Sequence, residues 1–202
     1  MYQEDTIAAI ATPPGEGGLA VVRISGPDAE KVALRIFLRS NNRNDKLRSH
    51  TLYHGRISDP QDAQPIDEVL LTIMRKPHSY TGEDVVEVHC HGGNFLVREI
   101  LALILTQGAR QAEPGEFTKR AFLNGRVDLA QAEAVLDLIR ARTTQGAQLA
   151  LNQASGELSK YVAELREELL NIMVQVEAAI DFPEEEIELL QRHRLVAKIF
   201  AL

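Results

Sequence analysis

Asp84-Val85-Val86-Glu87-Val88-His89-Cys90-His91-Gly92-Gly93 is the stretch on which the fold turns. Side chains along a strand alternate between its two faces. Val86, Val88 and Cys90 therefore share one face, while Val85, Glu87, His89 and His91 share the other. The first face is apolar and suits a core. The second sets a carboxylate and two imidazoles in a row, a pattern that fits either a solvated face or a ligand-binding one. Gly92-Gly93 punctuates the chain, and Phe95, Leu96, Ile100, Leu103 and Ile104 then recur as one face of a helix.

The same alternation of strands and helices extends outward. Residues 6–12 (TIAAIAT) and 19–25 (LAVVRIS) are strand candidates, separated by the breaker Pro13-Pro14-Gly15-Glu16-Gly17-Gly18. Pro27-Asp28 opens a helix with Val32, Ala33, Ile36 and Phe37 on one face, and 41–48 reads as a polar loop. Strands are expected over 51–57 and 67–75, the latter apolar at both parities and so central in a sheet. A short strand over 109–112 ends at Pro114-Gly115.

Beyond that point the pattern becomes helical. Residues 116–123 form a helix closed by Asn124-Gly125. Asp128 suits an N-cap with Gln131 completing a capping box, ahead of a helix that buries Leu129, Ala132, Leu136 and Ile139. Leu151, Ala154, Leu158, Tyr161, Leu165, Leu169, Ile172 and Val176 form the stripe of one long helix, stopped by Asp181-Phe182-Pro183. Glu184, Glu185 and Glu186 suit the first turn of a further helix. The final apolar stretch, 195–202, carries no closing cap, which leads us to expect that the natural sequence continues. The fold class expected is α+β: a mixed α/β domain over 1–118, then an all-α domain over 119–202.

Composition narrows the functions. The 202 residues are 45% hydrophobic and 25% charged, ordinary for a globular chain. A net charge of -7 excludes a general nucleic-acid binder, since phosphate affinity comes from clustered Lys and Arg. Cys90 is the one cysteine, so no intrachain disulfide forms and a reducing compartment is expected. No secretory leader is visible, and the apolar runs are strand-sized, too short to span a membrane. A zinc site at His89, Cys90 and His91 fails on parity, because Cys90 points away from both histidines and no other cysteine can join them. The turn at 15–18 lacks the Gly-Lys-Ser/Thr ending of a P-loop. Arg23 lies on the strand face of Val21 and Ser25, and Arg126 follows the Asn124-Gly125 turn; each alone reads as a surface residue.

A set of strings in order goes further. Asp5-Thr6-Ile7-Ala8-Ala9-Ile10-Ala11-Thr12-Pro13-Pro14-Gly15-Glu16-Gly17-Gly18 is followed by Val22-Arg23-Ile24-Ser25-Gly26, Ser79-Tyr80-Thr81-Gly82-Glu83-Asp84 and His91-Gly92-Gly93. Pro114-Gly115-Glu116-Phe117-Thr118, Arg120-Ala121-Phe122-Leu123-Asn124-Gly125, Asp128-Leu129-Ala130-Gln131-Ala132-Glu133-Ala134 and Ala179-Ile180-Asp181-Phe182-Pro183-Glu184-Glu185 complete it. Together they resemble the MnmE (TrmE) family of tRNA modification GTPases over nearly the whole chain.

The resemblance implies an N-terminal folate-binding domain similar to folate-dependent aminomethyltransferases, which also forms a homodimer. It implies a helical domain that, in the family, is interrupted by an inserted GTPase domain. Family members act in the cytoplasm with an FAD-dependent partner and modify carbon 5 of the tRNA wobble uridine, in the carboxymethylaminomethyl or aminomethyl manner. The one-carbon unit comes from a reduced folate, 5-formyl- or 5,10-methylene-tetrahydrofolate. GTP, Mg and K belong to the GTPase domain, whose motifs do not occur here, nor does the family's C-terminal cysteine motif; these residues alone are expected neither to hydrolyse GTP nor to modify tRNA. The family's folate positions carry over onto Arg23, Glu87 and Arg126, with Tyr80, Glu116 and Arg120 as further candidates in neighbouring motifs. No catalytic residue and no metal ligand is expected. Two other readings are an independent folate-dependent aminomethyltransferase and a dimerisation scaffold that no longer binds folate.

Overall fold

The computed structural model describes residues 5–40, 46–61 and 64–181. The chain divides into two compact units, the first ending at Val127 and the second starting at Asp128.

The first unit is built on a seven-stranded sheet of spatial order β3-β4-β5-β6-β2-β1-β7. Its strands are β1 (Ile7–Ile10), β2 (Gly17–Ser25), β3 (Phe37–Arg39), β4 (Leu52–Ser58), β5 (Pro65–Met74), β6 (Val85–Gly92) and β7 (Arg110–Gln111). All neighbours pair antiparallel except β1 and β7, which run parallel. Helix α1 (Ala29–Ile36) follows β2 and α2 (Asn94–Thr106) follows β6. Val32, Ala33 and Ile36 from α1 join Val97, Ile100, Leu103 and Ile104 from α2 in one core with Val22, Ile24, Leu71, Ile73, Val86, Val88 and Cys90. These strand residues all have one parity, so both helices cover the same sheet face. Burial lifts the Cys90 thiol to about 11, which keeps it a neutral apolar filler.

Among the described residues, the opposite face is covered at one end. There Ser25 and Val85 are fully buried, beneath the segment that leads into β6 and beside helix α3 (Glu116–Leu123). Ser25 Oγ lies 2.7 Å from Thr81 Oγ1 and donates to Glu83 Oε2 at 2.7 Å. Further along, Leu52, Leu70 and Leu19 are exposed.

Glycine is required by close backbone approach at Gly26 and Gly55. Gly26 has φ +135°, and a Cβ there would stand 2.6 Å from the Asp5 carbonyl oxygen. Gly55, opposite Arg39, leaves room for the Phe37 ring.

The expected division after residue 118 falls inside α3, whereas the two units part after Val127. Arg120 explains why α3 goes with the sheet: its nearly buried guanidinium binds Asp5 and Glu83. Phe37 also departs from expectation. Helix α1 ends at Ile36, and Phe37 turns extended (φ -97°, ψ 122°) to pair with Ile57 as the first residue of β3, buried all the same. Phe95, read from the sequence as part of the apolar face of this helix, is 77% exposed on the first turn of α2.

The second unit is helical: α4 (Leu129–Arg140), α5 (Thr144–Ala154) and α6 (Glu157–Asp181). The capping box forms as expected, with Gln131 N donating to Asp128 Oδ1 at 2.8 Å and Asp128 N donating to Gln131 Oε1 at 2.9 Å. Gln131 also donates to the Ala154 carbonyl at 3.0 Å, and Gln153 donates to that of Ala130 at 3.1 Å, so α4 and α5 are tied reciprocally. The stripe expected as one helix is two, because Ser155-Gly156 interrupts it with Gly156 at φ +84°. On α4 it is Ala134 that is buried, whereas Leu129, Leu136 and Ile139 are exposed. The acid run at 184–186 and the apolar stretch at 195–202 lie outside the described residues.

Candidate functional site

Arg23 and Glu87 face each other across β2 and β6 as direct register partners on the sheet's second face. Arg23 donates from Nε to Glu87 Oε1 at 2.9 Å, and a second guanidinium nitrogen lies 2.8 Å from the same oxygen. Both side chains are largely covered but keep some exposure, 26% and 17%. The pair sits where the covered end of that face gives way to the open remainder. A planar guanidinium on a carboxylate is a strong, oriented contact.

Two aromatic rings bound the pair. The Arg23 guanidinium carbon stands 5.1 Å from the centre of the Tyr80 ring and 5.7 Å from that of Phe117, within cation–π range. Tyr80 is fixed by its hydroxyl, 2.8 Å from Thr118 Oγ1. The rings thus come from two separate segments, the one before β6 and α3, which this bond locks together. Phe117 was not among the candidates read from the sequence. In an amphipathic helix an aromatic signals packing, and only the cross-strand location of Arg23 reveals what it faces.

Arg126 is placed by the end of α3. Gly125 at φ +67° follows the cap residue Asn124. Gly125 N donates to the Phe122 carbonyl at 3.0 Å and Arg126 N to that of Ala121 at 2.8 Å, the two bonds of a Schellman close. Asn124 Nδ2 then donates to the Thr81 carbonyl at 2.7 Å. The turn bearing Arg126 is therefore fastened one residue from Tyr80, with the Arg126 side chain exposed.

Glu116 and Arg120 are brought together elsewhere, in a cluster of ion pairs. Arg120 binds Asp5, Glu83 and Glu116, and donates to the Asp5 carbonyl at 2.7 Å. Arg110 on β7 holds Glu116 at 2.7 Å and Asp5 at 2.7 Å. The Arg110 hydrogen bond, helped by the Glu113 amide and Arg120, pulls the Glu116 carboxyl down to about 2 against the cost of burial. Asp5 is lowered as well, chiefly by Arg110 and then Arg120, and Arg110 is raised in turn by Glu116 and Asp5. These groups tie α3 to the sheet edge. The Glu116–Arg120 spacing of four residues was the visible signal for such a pairing. Asp5, Glu83 and Arg110 gave none, because their meeting depends on strand order.

The two histidines of β6 separate in role. His91 Nδ1 lies 2.6 Å from Asp67 Oδ1, and that bond raises its pKa. His89 Nε2 stands 3.5 Å from Glu87 Oε2. Among the described residues no group of three or more His, Cys, Asp or Glu could hold a metal ion, and no helix is long and apolar enough to cross a membrane.

Residues 6–126 match the family model described as the N-terminus of the GTP-binding protein TrmE, and residues 129–202 match that of the MnmE helical domain. Similar relatives named tRNA modification GTPase MnmE come from several bacteria. That of Enterococcus faecalis is 53% identical over 195 residues, covering 96% of this chain and 42% of the relative. That of Lactiplantibacillus plantarum is 56% identical over 180 residues, covering 89% and 38%. That of Syntrophotalea carbinolica is 52% identical over 202 residues, covering 100% and 44%. The chain spans roughly two fifths of the length of these curated relatives.

Proposed function

Since the chain belongs to the MnmE family of tRNA modification GTPases, we propose that it is the tetrahydrofolate-binding and homodimerising portion of a larger enzyme. That enzyme works with GTP and an FAD-dependent partner, in the cytoplasm, on carbon 5 of the tRNA wobble uridine. GTP, Mg and K belong to the part of the family architecture that lies outside these residues.

The observation that carries the folate reading is the Arg23–Glu87 pair flanked by Tyr80 and Phe117. A pterin presents an amino group and a ring N–H side by side, and a carboxylate accepts both at once. Glu87 is the acceptor, and the two rings offer flat apolar surface beside it. Arg23 and Arg126 take the ligand's carbonyl or carboxylate groups. Tyr80 contributes through its ring; Glu116 and Arg120 contribute indirectly, by holding the helix that bears Phe117. When bound, the reduced folate supplies the one-carbon unit, and these side chains bind and orient it.

The reading of an independent aminomethyltransferase is disfavoured by the match of residues 129–202 to the MnmE helical domain. The test is calorimetric titration of 5-formyltetrahydrofolate into the chain at a concentration where its mass is that of a dimer. Saturable binding at one site per chain is expected, and loss of it in Glu87→Ala. A folded dimer without binding, or Glu87→Ala binding as well as wild type, defeats the folate reading. A strictly monomeric mass defeats the dimer.

A further inference from the structure

His89 is left over when the Arg23–Glu87 pair has been described. Its Nε2 is buried and makes no hydrogen bond. A buried polar atom without a partner is costly and calls for an explanation. Its cross-strand neighbours, Val21 on β2 and Leu70 on β5, carry no acceptor in their side chains. The next imidazole on the same face, His91, is engaged by Asp67. Glu87 Oε2 stands 3.5 Å away, slightly too far for a bond, while Glu87 Oε1 takes both Arg23 contacts.

We propose that His89 is a positioning residue: it donates from Nε2 to Glu87 Oε2 and holds the carboxylate in register for a ligand that offers paired N–H donors. The inference rests on the folate reading for the identity of that ligand, but the 3.5 Å approach of His89 Nε2 to Glu87 Oε2 is a property of the free protein.

The logic is one of exchange. In the free protein Arg23 draws the carboxylate to itself through one oxygen. A ligand that presents two adjacent N–H groups needs the carboxylate plane facing it, with Arg23 sharing or leaving Oε1. A carboxylate released from Arg23 would rotate unless something else fixes it. His89 is two residues along the same strand and on the same face. A small rotation of Glu87 shortens the 3.5 Å gap to a charge-assisted hydrogen bond. Because Nε2 is wholly covered, the ligand does not reach it, and His89 acts through Glu87. The required form carries its proton on Nε2, and a neighbouring acceptor is what sets that choice in an imidazole.

Two measurements test this. Nitrogen-15 spectra of the free protein are expected to show His89 as the Nε2–H tautomer in wild type and to lose that preference in Glu87→Ala. An Nδ1–H tautomer in wild type, or one unaffected by Glu87→Ala, overturns the proposal. In competition titrations, His89→Leu is expected to weaken a tail-less pterin about tenfold, the effect of one hydrogen bond to a charged group. p-Aminobenzoylglutamate, which lacks the pterin, should bind as before. His89→Gln, whose amide can donate, should stay within about threefold of wild type. Equal losses for both ligands, or none for the pterin, overturn the proposal. A wild-type protein that binds neither ligand, yet shows the Nε2–H tautomer, defeats the folate reading and leaves His89 as the group that holds Glu87.

Discussion

Substituting Glu116→Gln tests the ion cluster that fastens α3, and its cost can be worked from the structure. The residue is 8% exposed, and the pKa of its carboxyl drops from 4.5 to about 2. Glutamine imitates the protonated acid, so the free-energy difference between charged and neutral Glu116 approximates the loss. A tenfold change in proton affinity corresponds to about 1.4 kcal/mol. Arg110, the main partner, is nearly half exposed, which screens part of the interaction, so about 2–3 kcal/mol is expected at pH 7. The folded value lies below the ordinary one, so this stability is fully present above about 4.5 and drains away as the pH falls toward 2. At pH 3 the difference should shrink to about 1 kcal/mol. Urea unfolding followed by circular dichroism, on both proteins at both pH values, measures it. Equal midpoints at pH 7, or a gap that does not narrow at pH 3, would refute the reasoning.

Gly55→Ala should lower stability by about 1–3 kcal/mol, since the new Cβ would stand 2.5 Å from both Phe37 Cζ and the Leu38 carbonyl oxygen; chemical unfolding reads the loss. Asp128→Ala removes the capping box of α4 and should cost about 1 kcal/mol, seen as faster amide exchange over the first turn of that helix. Asp67→Asn should bring the His91 titration down toward the ordinary imidazole range, because Asp67 is what raises it; a proton-NMR titration of the ring decides. Arg23→Lys keeps the charge but loses the planar fork and its ring contacts, so folate titration should show a clear loss of affinity, and wild-type affinity would separate Arg23 from the site.

The parity of residues 84–91 was legible because the period of a strand is local. Val86, Val88 and Cys90 went to the core and Glu87 to the other face by geometry alone. The capping box and the Asn124-Gly125 close were legible for the same reason, each being contained in a few residues. What could not be read was anything that depends on strand order. β3 is three residues long and takes its identity from Ile57 across the sheet. The pairing of Arg23 with Glu87 spans 64 positions, and Asp5 meets Arg120 across 115. Apolar periodicity also misled on α4 to α6, because it records which face wants cover without recording what covers it. There the interruption at Gly156 carried a local signal, a Ser-Gly pair, that the stripe of leucines masked.

The arrangement of the second sheet face explains why the Arg23–Glu87 pair sits where it does. An antiparallel sheet can leave one face to solvent, and here every pair but β1–β7 is antiparallel, with α1 and α2 covering the face of apolar parity. The other parity is then free to carry charge. A charged pair on a fully open face would be screened by water, and one beneath α3 would be sealed from any ligand. Arg23 and Glu87 lie at the margin between the two: the paired Ser25 and Val85 on one side of them are completely buried, while Leu70 and Leu19 on the other side are exposed. At that margin the charges keep much of their strength yet stay reachable. The depth of the margin is set by how far α3 reaches over the face, and α3 is held by Arg120 against Asp5 and Glu83. On the proposed folate reading, the ion cluster therefore acts on the candidate site indirectly, through the placement of α3. Loosening it should weaken folate binding along with stability, and a Glu116→Gln protein with lowered stability but unaltered affinity would show that the two are independent.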